Sequence, residues 1–215
     1  VDPELEITEI ATRAVKERMP ILFFENVRGA RYPLAINILA TETRIERALG
    51  MHPEQFGEEL VRFVGQMYPP AIGNMWRNRK TGFRMLKIRP KKVRRPVVQQ
   101  VIEESPDLGH LPIIKCWPDD GGRFITLPLV TSRDPITGVG NMGIYRMHVY
   151  DARTTGMHMQ ITKGGGYHYQ VAEKSGRPLP MAVALGGDPA LLLAAVMPLP
   201  EGIDEVAFSG ILRNK

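Results

Sequence analysis

The sequence predicts an α+β fold: an N-terminal α/β domain over residues 1–105, then a strand-rich domain over residues 106–215 with the pattern of an open or split β-barrel. Three observations predict it. Helical periodicity recurs three times before residue 70, with one short apolar run between. Beyond Pro106 the pattern changes to the two-residue alternation of strands, broken by turns rich in Gly and Asp. The 215 residues are 43% apolar and 24% charged, ordinary for a globular chain of one large or two small domains.

Each element has a local reason. Asp2 suits a helix N-cap, Pro3 the first helical position, and Glu4 and Glu6 the positive end of the helix dipole. Ile7, Ile10, Ala11, Ala14 and Val15 supply the apolar face, and Pro20 ends the helix. Ile21 to Phe24 reads as a short buried strand. Helices follow over residues 41–49, capped by Thr41 and closed by Gly50, and over residues 54–68, stopped by Pro69 and Pro70. In the second half, residues 113–117 and 124–130 read as strands around the turn Pro118-Asp119-Asp120-Gly121-Gly122. Residues 142–150 and 157–162 form a second hairpin around residues 151–156. A helix over 164–174, a strand over 181–185, a turn at Gly186-Gly187 and an apolar helix from Asp188-Pro189 through Val196 complete the reading.

Composition narrows the class. The longest apolar stretch, residues 191–197, is far too short to span a bilayer, and the acidic opening has no signal-peptide pattern. The single cysteine, Cys116, excludes an internal disulfide and suits a reducing compartment, so a cytoplasmic location is expected. Its apolar setting reads as a small buried hydrophobe rather than a reactive thiol. The net charge of +5 is concentrated: ten basic residues and no acid lie between Arg77 and Arg95. Phe83, Met85, Leu86, Ile88 and Val93 interleave with them, which reads as a solvated or partner-facing surface. Nucleic-acid binding is the alternative and ranks last, because Trp76 and Phe83 are the sole aromatics there for stacking.

The second hairpin carries the best chemical signal. Alternation puts Arg146 and His148 on one face, and His158, Gln160 and Thr162 on one face of the returning strand. With an even register these side chains form one polar patch beside an apolar core, though a half-solvated hairpin accounts for the alternation equally well. Lys163-Gly164-Gly165-Gly166 follows, where glycines admit a close ligand and a helix start offers free N–H groups to an anion. It lacks the spacing of a P-loop or dinucleotide fingerprint. Metal spacing is weak: Asn141, His148, His158, His168 and Glu205 are candidates by position alone.

At these residues the sequence resembles the UbiD family of decarboxylases. The resemblance rests on residues 141–146, 155–160 and 163–166, with residues 131–135 before them and residues 185–190, 198–202 and 204–210 after, all in the family's order. Pro20 to Glu25 also matches, so the likeness runs through almost the whole chain. It implies a split barrel related to flavin reductases, and reversible non-oxidative decarboxylation of an aromatic or α,β-unsaturated carboxylic acid. The implied cofactors are prenylated FMN, supplied by a separate flavin prenyltransferase, with Mn2+ or Mg2+ and often K+ at its phosphate. Carried over by motif, Asn141 and Glu205 are metal ligands, and Ile144, Tyr145, Arg146, His158, Met159, Gln160, Lys163 and Gly164 contact the cofactor. Arg146 is also the catalytic arginine, and a guanidinium suits a carboxylate because it grips both oxygens and stays charged.

Two departures stand out. Thr162 occupies the usual position of a histidine metal ligand, and a hydroxyl is a weak ligand beside an imidazole. Family members are also much longer, with an acidic proton donor and an oligomerising domain further on. The chain therefore reads as a piece of such an enzyme, with little activity expected of it alone and a homo-oligomer expected of the full-length protein. A prenylated substrate would place that protein at a membrane surface. The other reading open at this point is a non-catalytic flavin- or phosphate-binding module.

Overall fold

A computed structural model describes residues 1–67, 90–160, 164–199 and 204–213. The N-terminal part is built from α1 (Glu6–Lys16), a hairpin of β1 (Leu22–Phe24) and β2 (Leu34–Ile36), α2 (Glu42–Leu49) and α3 (Pro53–Met67). Ile7, Ala11 and Ala14 are the buried face of α1, as their spacing requires. Gly50 closes α2 with φ +76°, the left-handed conformation that glycine adopts without strain.

Helix α1 begins three residues later than the sequence suggests. The Leu5 N–H donates to the Lys115 carbonyl at 3.1 Å and the Lys115 N–H to the Pro3 carbonyl at 3.0 Å. This pairing holds residues 3–5 extended, and Leu5 turns into the helix at φ +65°. Asp2 accepts the Glu4 N–H and pairs with Arg28 instead of capping the helix. The predicted buried strand at Ile21 to Phe24 is only half-buried, because Phe23 points outward and is 61% exposed. Phe24, Leu34 and Ile36 pack inward against Ile7, Val27 and Ile114.

The second half contains two three-stranded antiparallel sheets. One has the order β3 (Phe124–Ile125), β6 (Met147–Val149), β7 (Thr155–Met157); the other has β5 (Gly140–Ile144), β4 (Leu129–Arg133), β8 (Met181–Ala184). Among the described residues they form no closed barrel. Residues 124–130 and 142–150, each read from sequence as one strand, are each divided between the two sheets. The second break falls at Tyr145-Arg146, where the chain leaves β4 and joins β7. β7 ends at Met157 rather than at residue 162. Residues 113–117 make two isolated bridges, Ile114 to Phe124 and Lys115 to Glu4, instead of a full strand.

Three helices pack on these sheets. They are α4 (Gly164–Lys174), α5 (Pro189–Val196) and α6 (Glu205–Arg213). α5 starts as predicted: the Asp188 side chain accepts the Ala190 N–H at 2.8 Å and Pro189 follows. Alternation at residues 113–114 joins the two halves. Ile113 enters the core with Ile125, Val130, Tyr145 and Met147, while Ile114 enters the N-terminal core. Half-buried Cys116 packs on the latter, and burial pushes its thiol pKa up, as an inert packing residue requires. Of the basic block, Lys91, Lys92, Arg94 and Arg95 are exposed; residues 68–89, with the rest of that block and Pro69-Pro70, lie outside the described residues.

Leu129 is 1% exposed at the centre of the β5-β4-β8 sheet. Leu129→Ala is expected to lower the unfolding free energy by about 2–5 kcal/mol in urea titrations. Phe23→Ala, on the open face of β1, should change it by no more than about 1 kcal/mol.

Candidate functional site

Where the chain switches sheets it also forms a cleft. Tyr145 is buried at the break, and its hydroxyl accepts the Gly165 N–H at 2.9 Å and the Asn141 side-chain amide at 3.3 Å. This joins the end of β5 to the first turn of α4. A side chain at either glycine would block the approach. A Cβ on Gly164 would overlap Asn141 Oδ1, and one on Gly165 would lie 2.7 Å from the Tyr145 hydroxyl.

The hairpin register is even: Met147 faces Met157, His148 faces Gly156, and the His158 N–H donates to the Arg146 carbonyl at 3.0 Å. Arg146 and His158 therefore share a face. The cleft, about 510 Å³, is lined by Asn141, Ile144, Tyr145, Arg146, His158, Gln160, Gly164 and Glu205, with the apolar end of α5 and residues 197–199 as a further wall. Eight of the sequence-derived candidates thus meet in one cavity, of a size usual for small-molecule sites. Thr162 and Lys163 lie outside the described residues.

Other candidates sit elsewhere. Met159, between His158 and Gln160, packs on the core beside Tyr145 and Met147. His148 stacks on Phe124 at 4.4 Å and meets Tyr150 at 4.7 Å, under the Gly121-Gly122 turn. His168 is buried in α4, where Nδ1 bonds the Ser132 hydroxyl at 2.9 Å, and burial holds its pKa below the ordinary value. Two features that bear on the cleft were missed by sequence reasoning. One is the wall made by residues 195–199. The other is Asp120, whose two oxygens lie 2.8 and 2.7 Å from Nη2 of Arg146. The bond to Arg146 holds the Asp120 carboxyl below its usual range. No sequence signal could pair an aspartate in a turn with an arginine 26 residues away.

Glu205 opens α6, and its Oε2 accepts the Met142 N–H at 3.1 Å, which brings it beside Asn141. Burial pushes its carboxyl above the ordinary value, the bond from Met142 opposing. Among the described residues no group of three His, Cys, Asp or Glu could hold a metal. Asn141 and Glu205 offer two oxygen donors instead. That fits a hard divalent cation, which keeps waters and takes its remaining ligands from a phosphate. It does not fit a closed, zinc-like site.

Two outcomes follow. Tyr145→Phe leaves the Gly165 N–H buried without its acceptor and should cost about 1–3 kcal/mol in urea unfolding. Because the Glu205 pKa is raised on folding, its stabilising contribution is present below the unfolded value of about 4.3 and is lost as pH rises through the folded value. Glu205→Gln should therefore raise the metal-free Tm at pH 7 and leave it nearly unchanged near pH 4 in circular dichroism melts.

Known proteins share this arrangement of sequence and fold. Residues 1–64 match the family model of the 3-octaprenyl-4-hydroxybenzoate carboxy-lyase N-terminal domain, and residues 90–215 match that of the same enzyme's Rift-related domain. An uncharacterized protein of Archaeoglobus fulgidus is 42% identical over all of this chain and 44% of its own length. A 4-hydroxybenzoate decarboxylase subunit of Chlamydia pneumoniae is 35% identical over all of this chain and 36% of its own length. The UbiD-class enzyme HmfF of Pelotomaculum thermopropionicum, solved with FMN, superposes with a TM-score of 0.77 at 25% identity, covering 99% of this chain and 43% of that one. The chain spans less than half the length of each. With two family models together matching most of its residues, the chain belongs to the UbiD family of 3-octaprenyl-4-hydroxybenzoate carboxy-lyases.

Proposed function

We propose that the cleft beside Tyr145 holds the phosphorylated end of prenylated FMN, and that the protein to which the chain belongs decarboxylates an aromatic or α,β-unsaturated carboxylic acid. The observation that carries this reading is the meeting of Arg146, His158, Gln160, Gly164, Asn141 and Glu205 in one cavity. HmfF supports it, having been solved with FMN and, in an evolved dimeric form, with prFMN. The two sheets are read as parts of a split barrel, with residues 1–105 as a separate α/β domain.

Each residue has a role its chemistry suits. Helix α4 starts in the cleft wall, where its positive N-terminal end favours an anion such as a phosphate, and Gly164 lets Asn141 approach that turn. Asn141 and Glu205 hold Mn2+ or Mg2+ against that phosphate, offsetting charge that would be costly to bury uncompensated. K+ serves the same purpose, and Lys163 is placed by sequence next to the same turn. Ile144, Tyr145, His158 and Gln160 shape the cavity around the flavin, and residues 195–199 keep water from it. Arg146 grips the substrate carboxylate and orients it. Prenylated FMN, when bound, supplies the electron sink that loss of carbon dioxide requires. A flavin prenyltransferase supplies the cofactor, and the full-length protein assembles as a homo-oligomer.

Flavin fluorescence titration with FMN, with and without Mn2+, tests this. Saturable binding that tightens with Mn2+, and that weakens about tenfold or more in Asn141→Ala, is expected; tenfold corresponds to about 1.4 kcal/mol. A folded chain that takes no FMN overturns the reading. Binding indifferent to both Mn2+ and Asn141 instead supports a flavin- or phosphate-binding module.

A further inference from the structure

Arg146 is held from two directions before any ligand arrives. Its guanidinium carbon lies 3.7 Å from the centroid of the Phe124 ring, and Phe124 is itself stacked on His148. A ring face sets the height of a guanidinium and leaves it free to turn about the contact. Asp120 removes that freedom, because both of its oxygens bond one nitrogen, Nη2.

Asp120 is firmly placed. Its N–H donates to the Trp117 carbonyl at 3.1 Å and its Oδ2 accepts the Trp117 N–H at 3.2 Å, closing the turn on itself. The turn lies against His148, where a Cβ on Gly122 would fall 2.7 Å from Nε2. The Asp120 side chain is 11% exposed and that of Arg146 41%. Arg146 lines the cleft and Asp120 does not, so the aspartate reaches the guanidinium from outside the cavity. Among the described residues, Nε and Nη1 have no protein acceptor. A guanidinium carries five N–H donors in two forks, Nε/Nη2 and Nη1/Nη2, so with Nη2 held by Asp120 the two Nη1 N–H groups stay available to a second carboxylate.

We infer that Asp120 is a positioning residue: it anchors Nη2 of Arg146 so that the guanidinium is held with its Nη1 N–H groups free to receive the carboxylate of the ligand in the cleft. This rests on the proposed function for the identity of that ligand. An arginine anchored beforehand loses less freedom on binding, and a second carboxylate at Nη1 uses donors that the first leaves free, without displacing it. A displaceable plug would have to stand in the cavity wall, where Asp120 is absent.

The test compares benzoate with its neutral analogue benzamide, by calorimetry on the full chain, with and without FMN. Wild type is expected to prefer benzoate. Asp120→Ala should lose about tenfold or more of that preference, and Asp120→Glu should restore it to within about threefold, with FMN affinity unchanged throughout. Asp120→Asn keeps the shape without the charge and serves if the alanine variant melts early. Benzoate binding that is unchanged or tighter in the alanine and asparagine variants overturns the inference, as does a wild-type chain that binds FMN but does not discriminate benzoate from benzamide. A wild-type chain that takes no FMN yet prefers benzoate in an Asp120-dependent way removes the flavin reading and leaves the positioning role standing.

Discussion

The Tyr145 hydroxyl is the constraint on which the cleft depends. A buried phenol needs a partner, and here it accepts the Gly165 N–H and faces the Asn141 amide. Those contacts hold the end of β5 against the first turn of α4, so three wall residues, Asn141, Tyr145 and Gly164, are placed together. The same residue marks the point where the chain changes sheets. Pairing with β4 ends at Ile144 and pairing with β7 begins at Met147, which leaves Tyr145 and Arg146 between the two sheets, one side chain in the core and the other in the cavity.

The charges around that point form a graded set. Arg146 is compensated by Asp120 at the back and remains open toward the cleft. Among the described residues Glu205 has no such cationic partner, and burial raises its pKa. A half-buried carboxylate with a raised pKa beside an amide oxygen is an environment that a divalent cation would improve. The cavity thus carries two groups of different character: a guanidinium suited to a carboxylate, and an oxygen pair beside a helix N-terminus suited to a hard cation.

Much of the fold was legible because its signals are local. Gly50 after α2 and Asp188-Pro189 before α5 sit where capping and steric rules put them. The start of α1 was not legible, because Asp2 and Pro3 are good helix openers and lost to a backbone pairing with Lys115, over a hundred residues away. Helix α6 had a readable cap, since Asp204 Oδ1 accepts the Ala207 N–H at 2.8 Å, but its two turns follow a proline-rich segment with no long periodic run. The sheet switch at Tyr145 was invisible: the run Ile144-Tyr145-Arg146-Met147 reads as one unbroken strand, and only the placement of two separate partner strands breaks it.

By itself the sequence determined which residues alternate and which family their order belongs to. Alternation grouped Arg146 with His148, and His158 with Gln160, because side chains in an extended chain repeat every two residues; that Arg146 and His158 face the same way depended on the hairpin register, which pairing of the two strands sets. Tertiary structure alone decided which cavity that face lines, that Met159 turns into the core, that Glu205 sits beside Asn141, and that Asp120 stands behind Arg146. The physical reason is range. Alternation and capping act over a few residues, whereas the contacts that close the cleft join segments 20 to 63 residues apart, and nothing in a one-dimensional pattern specifies which distant partner a charged or hydroxyl group will meet.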